Sequence, residues 1–269
     1  MKTLIATFIL LILVVSGNAQ SFEGTITYTM TMKITDLNAR RDIMEAQKEM
    51  NDPINKPKYD KLRENLKDPS FIKGLDTNPK LKSEVREMLS VINTASFEEN
   101  LSGKIVVKLK DKRSSVQIET GVMDKQEILY QGDKGISYAV DHKKREYSLN
   151  DPKPEDSTRS IRKTSETATI LGHVCTRYQV VDGADLSRKP TLTYVWTTTE
   201  IKDIDLAKSL GGSIGAGSPL VFNVGEGVPL KIQRMMSHGI LTTECISIEK
   251  GILNASEFEI PPGYTETKP

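Results

Sequence analysis

Residues 163–198 read KTSETATILGHVCTRYQVVDGADLSRKPTLTYVWTT. Two strand-like halves flank a polar turn that carries Gly183. In the first half Val174, Thr176, Tyr178 and Val180 alternate with His173, Cys175, Arg177, Gln179 and Val181. In the second, Leu192, Tyr194 and Trp196 alternate with Thr191, Thr193, Val195 and Thr197. A period of two sends successive side chains to opposite faces, so each half offers one apolar face to a core. Aromatic and β-branched residues suit a pleated, half-buried surface. The spacing therefore predicts a sheet, with Tyr194 and Trp196 on its apolar side.

The same signal recurs at the other end of the chain. Phe22, Gly24, Ile26, Tyr28, Met30, Met32 and Ile34 alternate with Glu23, Thr25, Thr27, Thr29, Thr31 and Lys33. One face is apolar and the other almost all threonine, so a one-residue slip would expose the whole apolar set. From residue 103 onward short strand patterns follow one another. Turns are expected at Asp111-Lys112-Arg113, residues 131–135, residues 141–144 and residues 235–239. With no βαβ alternation, these strands predict an antiparallel sheet that curves over a core.

Between them, residues 36–99 change character. Asp52-Pro53, Asp68-Pro69 and Asn78-Pro79 each look like a helix N-cap followed by proline in the first turn. Leu81, Val85, Met88, Leu89 and Ile92 share one helical face, as do Tyr59, Leu62 and Leu66. Three or four short helices are expected here, inserted after the first strand. Residues 200–210 read as one further short helix, and residues 211–227 as an irregular glycine-rich stretch.

The first residues read as an export signal. Lys2 supplies a short positive region, residues 4–15 an apolar one, and Gly17-Asn18-Ala19 the small residues before a cut. Residues 1–19 are thus expected to be removed, leaving residues 20–269 as a single β-rich domain without a transmembrane segment, periplasmic or secreted. The balance of 37 basic against 36 acidic side chains gives no reason to expect nucleic acid as a partner. In an oxidising compartment Cys175 and Cys245 can form a disulfide; the alternative is two small buried residues, or one buried and one free.

Candidate chemistry is sparse. Gly211-Gly212-Ser213-Ile214-Gly215 matches a nucleophile elbow, and Glu226 and His238 follow in hydrolase order. The elbow needs a strand before the serine and a helix after it, and the local pattern offers neither. His142, His173 and His238 show no metal-ligand spacing. No catalytic residues, no metal and no cofactor are expected. Tyr28, Met30, Tyr194 and Trp196 are the candidate ligand-binding residues, lining a pocket for an apolar ligand where a curved sheet closes incompletely.

Several segments form a recognisable set: Phe22-Glu-Gly-Thr-Ile-Thr-Tyr28, residues 164–180 with the core ILGHVCTRY, Tyr194-Val-Trp-Thr-Thr198, Gly227-Val-Pro-Leu-Lys-Ile232, and Glu257-Phe-Glu-Ile-Pro-Pro-Gly-Tyr264. With these the chain resembles a family of exported Gram-negative bacterial proteins, a domain of unknown function related to the LolA and LolB lipoprotein carriers. The resemblance spans residues 22–34 and 103–265. It implies an α+β, β-rich fold: a curved antiparallel sheet, a LolA-like unclosed barrel, with a helical insertion on or near its open face. It also implies a non-enzymatic periplasmic carrier that shields a lipid or lipidated partner in an apolar cavity. The helical segment 36–99 is longer than the resemblance leads one to expect. The alternative reading is an envelope protein–protein interaction module with a filled core, binding through that insertion.

Overall fold

The computed structural model describes residues 22–121, 125–150, 159–183, 190–202, 204, 206, 210, 224 and 226–267. Among these, twelve strands form one sheet. They are β1 (Gly24–Ile34), β2 (Gly103–Lys110), β3 (Arg113–Thr120), β4 (Gln126–Gln131), β5 (Ile136–Asp141), β6 (Glu146–Leu149), β7 (Ser160–Ile170), β8 (His173–Asp182), β9 (Thr191–Thr198), β10 (Val228–Met235), β11 (Gly239–Lys250) and β12 (Thr265–Glu266). Their order is β12-β6-β5-β4-β3-β2-β1-β11-β10-β9-β8-β7, so the sheet is unclosed and β7 and β12 are its edges. Pairing is antiparallel except for β12 on β6. Bulges interrupt the registers of β1 with β11, β9 with β10, and β7 with β8. Each bulge bends its strand and increases the local twist.

β1 is the central strand, and its sequence explains why. Ile26, Tyr28, Met30, Met32 and Ile34 are all buried, as the alternation requires. They join Ile105 and Val107 of β2, Val116 of β3, Tyr178 and Val180 of β8, Val195 of β9 and Ile232 of β10 in one core face, except Met32 and Ile34, which enter a smaller cluster. Phe22 and, from the connection between β9 and β10, Ile204, Leu206, Leu210 and Val224 pack into the cluster.

Residues 163–198 hold three strands rather than two. Leu171 and Gly172, with φ of 50° and 81°, make the two-residue turn from β7 to β8. Positive φ at both positions matches strand twist in such hairpins, at a steric cost to leucine. β7 is almost wholly exposed and carries Arg162, Lys163 and Glu166, charges that discourage edge-to-edge pairing.

The insertion consists of α1 (Leu37–Asn51), α2 (Lys56–Asn65), α3 (Pro69–Thr77), α4 (Pro79–Ala95) and α5 (Phe97–Leu101). Asp68 and Asn78 cap α3 and α4 as expected, accepting from Ser70 N and Leu81 N. Asp52-Pro53 does not open a helix. Asp52 instead accepts from Ile54 N at 2.9 Å, forming the turn that ends α1, and α2 starts at Lys56. Ile43 of α1 packs with Met32 and Ile34, with Phe97 and Leu101 of α5 alongside. Beyond its pairing with β2, β1 finds side-chain acceptors at the end of the insertion: Ser102 Oγ, just after α5, for Met32 N, and Glu98 Oε1 of α5 at 3.0 Å for Ile34 N. The insertion thus stands beside the end of β1, and none of its residues belongs to the main core cluster.

Candidate functional site

The four candidate residues split between two faces. Tyr28 is fully buried and Met30 is 4 % exposed. The Tyr28 hydroxyl donates to Pro229 O at 3.1 Å, and burial, with Cys245 nearby, raises its pKa well above the usual tyrosine range. Val195 faces Ile232, Ile232 faces Thr243, and Thr243 faces Met30, so these side chains lie on the core face. Trp196 faces Lys231, Lys231 faces Glu244, and Glu244 faces Thr29 on the opposite side. The strand register thus sets Tyr194 and Trp196 on the other face from Tyr28 and Met30, although Trp196 also packs against the main core cluster. Thr193, Val195 and Thr197 turn inward, and the two aromatic rings stay half-buried.

On that opposite face the aromatic residues hold a cation. The Arg177 guanidinium lies 4.5 Å from the Tyr194 ring centroid and 6.0 Å from that of Trp196. The two rings are 6.3 Å apart. Glu166 of β7 pairs with Arg177, and Lys231 pairs with Glu244 at 2.7 Å. Tyrosine, tryptophan and arginine together, half-exposed, are the residue types that dominate protein recognition.

A second polar centre had no motif to announce it. Glu127 of β4 is 6 % exposed. Its Oε1 accepts from Ser115 Oγ and from Gln117 Nε2 at 2.8 Å, and its Oε2 meets His142 Nε2 at 2.7 Å. His142 Nδ1 meets the Tyr264 hydroxyl at 3.0 Å. The imidazole sits in the turn after β5, and Tyr264 lies in the C-terminal segment. That segment crosses the outer face of β3 and β4, where Phe258 is fully buried. Every polar atom named here has a partner, so the arrangement ties the C-terminal segment down. Ser115 is fully buried and in no position to act as a nucleophile. His142 is thus held by Glu127 rather than by its sequence neighbour Asp141. Asp141 accepts instead from the backbone of Lys143 and Lys144.

The remaining candidates stay apart. Ser213 lies outside the described residues. Glu226 and His238 are exposed, His238 in the turn before β11 where its carbonyl accepts from Thr35 and Asp36. His173 Nδ1 meets Glu200 at 3.0 Å at the surface. Among the described residues no group of histidine, cysteine and acidic side chains is placed to hold a metal. A polar depression of about 210 Å³ lies beside β5 and β6, lined by Asp141, Lys144, Glu146 and Thr267 among others. Cys175 and Cys245 are free, buried thiols. Each directs Sγ to a carbonyl of its own strand, and burial pushes their pKa values up to about 11 and about 12.

Residues 87–264 match the family described as Domain of unknown function (DUF4412). The chain belongs to this family. The matched region begins within α4 and takes in β2 to β11, leaving β1 and most of the insertion outside it. Among solved structures, the chain is similar to LprF from Mycobacterium bovis at 8 % identity. That similarity covers 62 % of this chain and 82 % of LprF, with a TM-score of 0.27. No curated protein matches the sequence. No helix among the described residues is long and apolar enough to cross a membrane.

Proposed function

We propose that this DUF4412 protein is a non-enzymatic binding protein of the cell envelope, taking a lipid or lipidated partner on the core face of its sheet. One observation carries the reading. The apolar face runs without a break from β3 to β8, and besides Phe22 the described residues that pack into it from outside the sheet, Ile204, Leu206, Leu210 and Val224, all come from the connection between β9 and β10. A ligand chain would lie where Ile204, Leu206, Leu210 and Val224 now pack, gaining about 0.8 kcal/mol per methylene buried. Export through residues 1–19 places the protein where such partners are found. The supporting experiment is native mass spectrometry of protein purified gently from its own envelope, before and after organic extraction. A stoichiometric acyl-chain mass is expected. An empty protein that takes up no fluorescent fatty acid would overturn the reading.

A second reading is favoured by a different observation. Tyr28 and Met30 have almost no exposed surface, and the helical insertion stands outside the main core. A filled core with an external helical module describes an envelope protein–protein interaction module. Fatty-acid uptake separates the two readings, since a permanently filled core takes up none.

A further inference from the structure

α1 has two faces with different accounts. Ile43 and Ala46 are buried, and Ala39 and Met50 are half-buried; together they fix the helix against β1 and α4. The opposite stripe holds Leu37, Arg41, Met44 and Lys48, spaced i, i+4, i+7 and i+11. Leu37 is 77 % exposed and Met44 63 %, and Ile54 in the turn directly after α1 is 79 % exposed. Folding does not explain large apolar side chains pointing straight at solvent along one line.

The charges on this stripe are available too. Arg41 meets only its neighbour Asp42, at 3.9 Å with both side chains exposed, a contact of little strength. Lys48 has no ion-pair partner among the described residues. Arg40, on the flank, gives one nitrogen to Ile34 O at 2.9 Å. Of the acidic neighbours, Glu49 is engaged by the Tyr59 hydroxyl, and Glu45 borders the stripe. The solvent side of α1 therefore combines apolar side chains with cations among them. That pattern suits a helix lying in a membrane interface, with apolar groups at the acyl boundary and basic groups at anionic headgroups.

We propose that the outer stripe of α1 docks the protein onto an anionic phospholipid surface. The inference goes beyond the ligand reading and does not need it, since a protein with a filled core docks equally well. The test uses the chain from Gln20 onward, which holds every described element. Its co-sedimentation is compared with vesicles of phosphatidylglycerol mixed into phosphatidylcholine and with vesicles of phosphatidylcholine alone. Partition onto the anionic vesicles is expected to be about tenfold stronger and to fall with added salt. The variants L37E/M44E and R41E/K48E should each lose about tenfold of it. Both pairs are exposed, so unchanged thermal unfolding checks that the fold is kept. Equal partition onto neutral vesicles, no partition at all, or L37E/M44E partitioning like the parent would each overturn the proposal. So would a dimer in solution that L37E/M44E converts to a monomer, because the stripe would then be covered by a second copy.

Discussion

β1 and β9 look alike on paper and behave differently in the fold. Both alternate strictly, and both carry aromatic residues on the face the alternation marks as apolar: Tyr28 in β1, Tyr194 and Trp196 in β9. In β1 that face is the core, and Tyr28 is fully buried. In β9 the core takes Thr193, Val195 and Thr197, and the aromatic face holds Arg177 at the surface. The difference lies in the alternate residues. β1 opposes its apolar set with threonines and a lysine, so only one face tolerates burial. β9 opposes its aromatics with Val195 between threonines, a compact and nearly apolar row that packs closely against Ile232 and Tyr178. Alternation groups residues by face; it does not say which face is covered when both are apolar enough.

Substitution tests that comparison directly. Tyr28→Ala removes a fully buried ring and its bond to Pro229 O, and should cost about 3–5 kcal/mol in chemical denaturation. Trp196→Ala, on the half-exposed face, should cost clearly less. Equal losses would mean that the two faces are equally covered, and the contrast would fail.

The polar centre under the C-terminal segment comes next in size. Glu127→Ala leaves Ser115, Gln117 and His142 without their acceptor in a buried place, which should cost about 1–3 kcal/mol. Hydrogen exchange should rise around Tyr264, because its partner His142 loses its anchor. An unchanged segment would show that Phe258 alone holds it.

Alkaline pH sharpens the picture of the core face. Burial raises Cys175 from 9.0 to about 11 and Cys245 from 9.0 to about 12. Raised folded-state values mean that the folded protein holds protons the unfolded chain has lost. Their contribution is complete below about pH 9 and is lost as pH rises toward 11 and 12. Urea midpoints should therefore fall above pH 9, and less steeply in a C175A/C245A variant. Cysteines paired in a disulfide carry no such titration. Identical slopes, together with unreactive sulfurs in denatured protein, would show that they pair.

The smallest effect belongs to the surface cluster. Arg177→Met should cost about 0.5–1 kcal/mol through the lost contact with Tyr194. Trp196 is the only tryptophan, so its emission reports the change directly, and a spectral shift is expected. An unchanged spectrum would place the guanidinium away from the indole in solution.

Much of the architecture could be read from particular residues. The β1 alternation, the capping of α3 and α4 by Asp68 and Asn78, and the Met235–Gly239 turn all depend on chemistry within a few positions. The candidate site was less legible. Glu127, His142 and Tyr264 are distant in sequence, and none belongs to a spacing motif. The β7–β8 turn carries no two-residue turn signature, because Leu171 takes a backbone conformation that leucine rarely adopts. Asp52-Pro53 has the form of a helix start, yet its carboxylate closes the end of α1.

By itself, the sequence determined an antiparallel β-rich sheet interrupted by helices. Period-two patterns, caps and turn residues are local, and local chemistry settles them. The tertiary structure decided which face of β9 is covered, where the insertion stands, and that a buried carboxylate joins a histidine to the C-terminal segment. Those outcomes depend on strand order and on which surfaces meet, and both are set by contacts between residues far apart in the chain.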